Sequence, residues 1–176
     1  MKSSLIMFEN LNDGDIALLI KASQKIILNS GDTIVEYGQS YMGVFIILEG
    51  QCKVMTDTGI QLDILDAGDI LGEVSYIEGR TTLARVVSIG NLSAAFIECS
   101  VLDALIAREV FFASRFYLGV ARVLAYRLRL NMQAIISKNT NIFDSSAELK
   151  NELDLTHLDS LTEAGTRLSY FIKAMK

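Results

Sequence analysis

The chain has 176 residues, of which 51% are hydrophobic and 21% charged, and its formal net charge is -5. This length and composition predict one globular domain with a helical appendage and a core that needs no disulfide or metal. The negative charge argues against a general nucleic-acid-binding surface, which is built from clustered Lys and Arg. No apolar run reaches the roughly 20 residues of a membrane span, and the N-terminus lacks the apolar core of a signal peptide. We therefore expect a cytoplasmic location without membrane contact.

The first predicted element is a helix over residues 12–23, followed by a series of strands. Asn12 or Asp13 is a suitable N-cap, and apolar residues then recur at helical spacing, at Ile16, Leu19 and Ile20. From Gln24 to Cys99 the chain consists of short runs rich in Val, Ile, Phe and Leu, separated by turn residues such as Thr58-Gly59. The pattern predicts a mainly β fold with flanking helices, an antiparallel β-roll of the double-stranded β-helix or jelly-roll type.

One segment interrupts the strand pattern. Residues from Gly72 to Gly79 lack the alternation of a strand, and the Gly72-Glu73 pair is typical of a tight turn into a short helix. A short helix inserted between two strands of a roll is a candidate functional segment. Its first backbone N–H groups have no partner within the helix and favour an anion.

A long helix is predicted from Phe112 to Lys138, after a shorter one over Val101 to Arg108. Six of its residues alternate at spacings of four and three, the pattern of a two-stranded coiled coil: Tyr117, Ala121, Leu124, Leu128, Asn131 and Ile135. This predicted seam indicates a homodimer through residues 112–138. The alternative is that the same face packs on the roll.

The remaining residues are predicted to form a polar linker, a capped helix starting near 144–146 and a final helix over about 158–176 with one apolar face. We expect the chain to divide into a roll domain with its closing helix, residues 1–138, and a linker with a helical extension, residues 139–176. The apolar face of the final helix is expected to pack against another apolar surface. The tail is a candidate contact for a protein partner.

The order of glycines and apolar runs resembles the cyclic-nucleotide-binding domain family, in particular the sensor domain of the catabolite-activator-protein type. Residues 30–34 through Gly38, then 45–50 and Val54, are similar to its first half, and residues 67–73 to the start of its phosphate-binding cassette. Residues 83–87 are similar to the strand that leaves the cassette. The resemblance extends from about residue 11 to 136 and implies a cyclic nucleotide, cAMP or cGMP, as the ligand.

The cassette residues that the resemblance points to are Gly72, Glu73, Val74, Ser75, Arg80, Thr82 and Leu83. In the family the residue at Glu73 accepts a hydrogen bond from the ribose, and the resemblance favours this role if a nucleotide binds. The alternative is that Glu73 only stabilises the positive end of the short helix. Thr82 stands where the family has its phosphate-binding arginine, and Leu83 where it frequently has a small hydroxyl residue. Hydrogen bonds to charged groups contribute roughly 1.5–3 kcal/mol each, so the loss of both contacts weakens the case for a nucleotide.

Neighbouring residues are weaker candidates. Arg85 alternates with apolar residues on the following strand and is expected to point outward, and Arg80 on its loop is expected to be solvated. Ser75 can donate to an anion, whereas Tyr76 is expected to pack against the roll. On the closing helix, Tyr126, Arg127 or a neighbour could stack on a ligand's base, as in the family, but no motif selects one.

Two functional interpretations therefore stay open: a sensor that binds a cyclic nucleotide and signals through its C-terminal helices, and a degenerate roll that serves as a dimerisation or docking module. Many relatives carry a DNA-binding domain, but residues 139–176 have four basic and six acidic side chains, so no DNA binding is expected. The single histidine, His157, lies in this tail, and the sequence lacks a nucleophile elbow or Walker loop. We expect no enzyme activity, no catalytic residues and no metal site.

Overall fold

The computed structural model describes residues 2–40, 42–139 and 155–176, so the capped helix predicted near 144–146 lies outside the described residues. Two helices open the chain, α1 over Ser3–Phe8 and α2 over Asp13–Ala22. The predicted cap of α2 is confirmed, because the Asn12 side chain accepts from the Asp15 N–H at 2.9 Å and the Asp15 side chain accepts from the Asn12 N–H at 2.8 Å. The short helix α1 was not expected.

The strands are β1 (Gln24–Leu28), β2 (Thr33–Val35), β3 (Gly43–Met55), β4 (Gln61–Asp66), β5 (Ile70–Leu71) and β6 (Arg85–Glu98). The long strands β3 and β6 pair with each other, and the shorter strands pair with one or the other: β1 and β2 with β6, β4 and β5 with β3. Each of these pairs is antiparallel. The predicted antiparallel β-roll is confirmed.

The remaining helices are α3 (Glu73–Glu78), α4 (Cys99–Arg108), α5 (Val110–Asn139) and α6 (Leu155–Ala174). Helix α3 is the short helix expected between the strands, and it follows β5 directly. A close contact of two glycines fixes where it begins: a Cβ atom on Gly72 would collide with the carbonyl oxygen of Gly43, at the start of β3. Only glycine allows this approach together with the φ of 90° found at Gly72.

The hydrophobic core has two parts. Inside the roll, side chains from the strands pack together, among them Ile34, Phe45, Ile47, Cys52, Leu65, Leu71 and Val86. The larger part lies between the roll and the helices and includes residues from α1, α2, α4, α5 and α6. Helix α6 contributes Ala164, Leu168 and Phe171, Met175 follows directly after it, and the Phe171 ring meets that of Phe8 edge to face at 5.6 Å. The apolar face predicted for the final helix therefore packs on the body of the domain.

Helix α5 packs on the body through Phe112, Phe116, Val120 and Val123, which are all buried. The predicted seam lies on another face, with exposed fractions of 44% for Tyr117, 58% for Leu128 and 59% for Ile135. Ala121 and Asn131 are also exposed, and Leu124 is half-buried. The alternative that this face packs on the roll is therefore wrong for the seam as a whole.

The packing of α6 generates a stability prediction. Replacing the fully buried Phe171 by Ala should lower the free energy of unfolding by about 3–5 kcal/mol, because the substitution removes apolar contacts and leaves a cavity. The neighbouring Tyr170 is 58% exposed, and Tyr170→Ala should change stability by no more than about 0.5 kcal/mol. Urea denaturation of both variants measures the difference. Equal effects would show that α6 does not form part of the core.

Candidate functional site

The cassette helix α3 is bounded by two glycines in the left-handed region, Gly72 with φ 90° and Gly79 with φ 63°. Strand β5 leads into it, and β5 is anchored because Leu71 pairs with Phe45 of β3. The first helical residue is Glu73. Its backbone position is therefore set by a strand pair on one side and a tight glycine turn on the other.

The side chain of Glu73 is buried, with 1% of the residue exposed. The guanidinium of Arg127, from α5, pairs with it, and Arg127 Nη1 donates to Glu73 Oε1. The other terminal nitrogen, Nη2, donates to the carbonyl oxygen of Ile70 at 2.5 Å. One side chain of the closing helix therefore holds both the cassette and the strand that precedes it.

Only half of the Glu73 carboxylate is satisfied. Within the described part of the chain, Oε2 is buried and has no hydrogen-bond partner. Burial raises the pKa of Glu73, while the charge of Arg127 acts in the opposite direction. An unsatisfied buried acceptor costs stability, and a ligand hydroxyl or amine that donates to Oε2 would remove this cost.

A second buried carboxylate provides an internal comparison. Asp15 is 2% exposed and pairs with Arg115 of α5 through two hydrogen bonds, Nε to Oδ2 at 2.6 Å and Nη2 to Oδ1 at 2.8 Å. Its Oδ2 also accepts from the Asn12 N–H in the helix cap. Both oxygens of Asp15 have protein partners, as expected of a structural ion pair. Glu73 differs because one of its two oxygens, Oε2, has no such partner among the described residues.

The cavity beside Glu73 has a volume of about 190 Å³. Glu73 and Arg127 are the charged residues in its lining. The wall is otherwise mostly apolar and comes from the strands and the loop after the cassette: Val35, Val54, Leu65, Leu71, Leu83, Ala84 and Val86. Of the residues expected at the site, this cavity brings together Gly72, Glu73, Val74, Ser75, Thr82 and Leu83, but not Arg80.

Thr82, at the position of the family's phosphate arginine, is buried and already engaged. Its hydroxyl lies 2.5 Å from the carbonyl oxygen of Glu36 and 3.3 Å from that of Gln39. Backbone hydrogen bonds reinforce this contact, because the Thr82 N–H donates to the Gln39 oxygen and the Gly38 N–H to the Thr82 oxygen, both at 2.9 Å. Thr82 thus fastens the turn at residues 36–39.

A second cavity, of about 290 Å³, lies on the other side of Thr82. Both cavities are lined by Val35, Gly72 and Thr82, which form the partition between them. The rest of its lining comes from β2, from the loop after it and from the start of β3, and includes Glu36, Met42 and Phe45. This second cavity adjoins the cassette cavity without containing Glu73 or Arg127.

The two arginines near the cassette do not replace the missing phosphate contact. Arg85 points outward as predicted, and it contacts Glu36 (Nε to Oε1, 3.3 Å) and Thr33 (Nη2 to Oγ1, 3.1 Å). Arg80 is exposed. Arg127 had been considered for stacking, but it lies in the site as the ion-pair partner of Glu73. The sequence signal that could have identified this role is the position of Arg127 on α5, next to the part of the helix that faces the core.

Tyr76 packs against the helices, which agrees with its predicted packing role. Its ring centroid is 6.3 Å from that of Phe116 on α5, and its hydroxyl donates to Asp103 of α4 at 2.7 Å. Ser75 is buried and lines the cassette cavity. Helix α3 is therefore joined to α4 and α5 by Tyr76 and to α5 by Glu73.

Clusters of metal-ligating side chains and membrane-spanning helices are absent from the described residues. Across residues 2–40, 42–139 and 155–176, no group of three or more His, Cys, Asp or Glu side chains is arranged to hold a metal ion. Among the helices of the same ranges, none is long and apolar enough to cross a membrane.

The fold agrees with that of known proteins. Residues 25–109 match the cyclic nucleotide-binding domain family, while comparison with curated proteins gives no significant match. Among solved structures, the chain is similar to a cyclic nucleotide-binding domain from Methylobacillus flagellatus KT. The identity is 20% and the TM-score 0.69, with 80% of this chain and 85% of that one covered.

Two other structures share the fold. The c-di-GMP responsive global regulator of Xanthomonas campestris is 18% identical, with a TM-score of 0.61 and coverage of 72% of this chain and 64% of that one. The regulatory domain of Toxoplasma gondii PKA, crystallised with cAMP, is 20% identical, with a TM-score of 0.55 and coverage of 62% and 43%. At these identities the likeness establishes the fold. The chain therefore has the fold of these structures, and its residues 25–109 match the cyclic nucleotide-binding domain family.

Proposed function

We propose that the chain is a non-catalytic regulatory domain that binds a cyclic nucleotide, cAMP or cGMP, beside Glu73 and signals through its C-terminal helices. The observation that carries this proposal is Oε2 of Glu73, which is buried without a hydrogen-bond partner among the described residues, in a residue that lines the cassette cavity. A ribose hydroxyl that donates to this oxygen would satisfy it. The proposal includes a cytoplasmic location and no binding of DNA.

The similar structures support a nucleotide as the first ligand to test. The Toxoplasma gondii domain was crystallised with cAMP, and the Xanthomonas campestris regulator is described as responsive to c-di-GMP. The alternative function, a docking module that binds no ligand, is less well supported. Such a module would gain nothing from a half-satisfied carboxylate beside a cavity, because that arrangement only lowers its stability.

Side-chain contacts connect the site to helices α4 and α5. Arg127 joins Glu73 to α5, and Tyr76 joins the cassette helix to Asp103 of α4 and to Phe116 of α5. A ligand that favours a different position of α3 must change these contacts and so shift the equilibrium between two arrangements of α5. The outer surface of α6, where Tyr170 is exposed, is the candidate contact for a protein partner.

We also propose that α5 forms a homodimer with a second copy of this chain. Its outer seam is a face on which every residue is exposed and successive positions alternate by three and four: Phe111, Ser114, Leu118, Ala121, Ala125, Leu128, Met132 and Ile135. The residues that pack on the body, such as Phe112, Phe116 and Val123, lie on the opposite face. The outer seam covers roughly three and a half heptads, about 36 Å of helix.

The outer seam differs in register from the predicted seam. The two share Ala121, Leu128 and Ile135, but Leu118, Ala125 and Met132 replace Tyr117, Leu124 and Asn131. The new register is more apolar, and it leaves out Leu124, which is half-buried against the core. Alanines at the centre of the seam would allow the two helices to approach closely.

The ligand proposal predicts heat on titration of the purified protein with cAMP or cGMP in a calorimeter. Glu73→Gln should weaken binding by about tenfold or more, because a hydrogen bond to a charged acceptor is lost. Glu78→Gln, at the exposed other end of α3, is the matched control and should bind as the wild type does. Absence of heat at high micromolar concentrations of both nucleotides would refute the proposal.

The dimer proposal predicts that the wild-type protein sediments as a dimer. Leu128→Asp and Met132→Asp should each yield monomers, because two charges would face each other across the seam. Leu130→Asp is the control, since Leu130 is also exposed, by 44%, but lies away from the outer seam. A monomeric wild type, or dimers that survive both seam substitutions, would contradict the proposed interface.

A further inference from the structure

The cassette cavity lacks a cation from the cassette itself. The hydroxyl of Thr82 is engaged by the carbonyl oxygens of Glu36 and Gln39, so it has no hydrogen left to donate to a ligand. Leu83, the next residue, offers no hydrogen bond. Arg80 does not line the cavity, and Arg85 is held outside by Glu36 and Thr33. A ligand's acidic group must therefore find its positive charge elsewhere.

The cation in the cavity wall comes from the closing helix. Arg127 lines the cavity, and its side chain is 31% exposed, so its guanidinium borders both the cavity and solvent. Its hydrogen bonds to Glu73 and to the Ile70 carbonyl oxygen use two of the five N–H donors of a guanidinium. The planar fork of these donors matches the oxygens of a phosphate or carboxylate.

We infer that Arg127 of α5 is the anion-binding residue of this cavity, and that the phosphate-class group of a ligand pairs with its guanidinium and draws it away from Glu73. The inference rests on the proposed function in so far as it takes the cassette cavity to be the ligand site. It goes further by assigning the anion contact to α5, where the cassette no longer supplies it.

The size of the cavities favours a ligand that displaces Arg127 from Glu73 over a ligand that binds beside an unchanged Glu73–Arg127 pair. The cassette cavity, about 190 Å³, and its neighbour, about 290 Å³, are each smaller than the roughly 300 Å³ at which pockets for drug-sized ligands begin. Withdrawal of the Arg127 side chain from Glu73 enlarges the first cavity. It also frees Oε1, so that both oxygens of Glu73 can accept from hydroxyl groups of the ligand.

The exchange leaves the site with a net negative charge, because Arg127 and Glu73 are neutral together and the ligand adds an anion. In the described arrangement Arg127 is neutralised by Glu73, and after the exchange it is neutralised by the ligand's anion. The ligand's hydroxyl groups then replace the guanidinium as donors to Glu73. Because the anion contact lies on α5 itself, binding acts on the closing helix directly, without transmission through the cassette.

The test is a titration followed by NMR of the arginine side chains, with the Arg127 Nε–H signal assigned by its loss in Arg127→Lys. The probes are inorganic phosphate and cAMP, added separately to the full chain. The Arg127 signal should shift and saturate with either probe. The signal of Arg115 is the internal control and should stay in place, because both oxygens of its partner Asp15 are already satisfied.

The second arm measures affinity by calorimetry. Arg127→Gln should weaken binding of the anion by about tenfold or more, and Arg127→Lys should retain part of it, because lysine keeps the charge but not the fork of donors. If Arg127→Gln fails to fold, the titration of the wild type still decides.

The outcomes separate this inference from the proposed function. Binding of cAMP with an unmoved Arg127 signal would overturn the inference and leave the proposed function standing. A saturable shift of the Arg127 signal by phosphate, without binding of cAMP or cGMP, would support the inference and refute the nucleotide proposal. No response to any probe would overturn both.

Discussion

Burying a carboxylate costs several kcal/mol unless a cation meets it, and this constraint governs how the roll contacts its closing helix. Three acids on the body, Glu9 at the C-cap of α1, Asp15 of α2 and Glu73 of α3, pair with Arg122, Arg115 and Arg127 of α5, respectively. The apolar residues of α5 fasten it to the core, and the arginines determine its position along the three shorter helices. Each of these acids therefore contacts α5 directly through its arginine.

The pairs are not equivalent, and the difference between them separates support from function. Asp15 has a partner on each oxygen and takes part in a helix cap, so it behaves as a permanent structural element. Glu73 accepts from Arg127 through one oxygen, and its other oxygen is buried without a hydrogen-bond partner among the described residues. The resemblance predicts that Glu73 is the carboxylate typical of the family's cassette. At the position of the phosphate arginine this chain has Thr82, which fastens a neighbouring turn.

Much of the fold could be predicted because its signals are local. The cap of α2 depends on two residues that are three positions apart. The strands are recognised by alternating apolar residues and by the turn residues between them. The cassette helix lies between Gly72 and Gly79. Helix α1 was missed because its six residues are too few to show a helical period. The long helix α5 was predicted, but its apolar residues form several overlapping stripes, and the sequence does not say which stripe the body covers.

The site could be predicted only in part. The residues next to one another in the cassette were identified together, since a single turn and a single short helix position them. The Glu73–Arg127 pair could not be predicted from local sequence patterns, because the two residues lie 54 positions apart and meet only when α5 packs beside the cassette. For the same reason, the engagement of Thr82 by a turn 43 and 46 residues away could not be read from the sequence.

A double-mutant cycle on Glu73 and Arg127 tests the central claim, that this pair couples the cassette to the closing helix. The free energy of unfolding is measured in urea for the wild type, Glu73→Gln, Arg127→Gln and the double variant. We predict a coupling energy above roughly 1.5 kcal/mol, as expected of a buried pair in direct contact. The exposed pair Arg108–Glu109 serves as the reference and should give less than about 1 kcal/mol. A coupling energy for Glu73 and Arg127 no larger than that of the exposed pair would contradict the account.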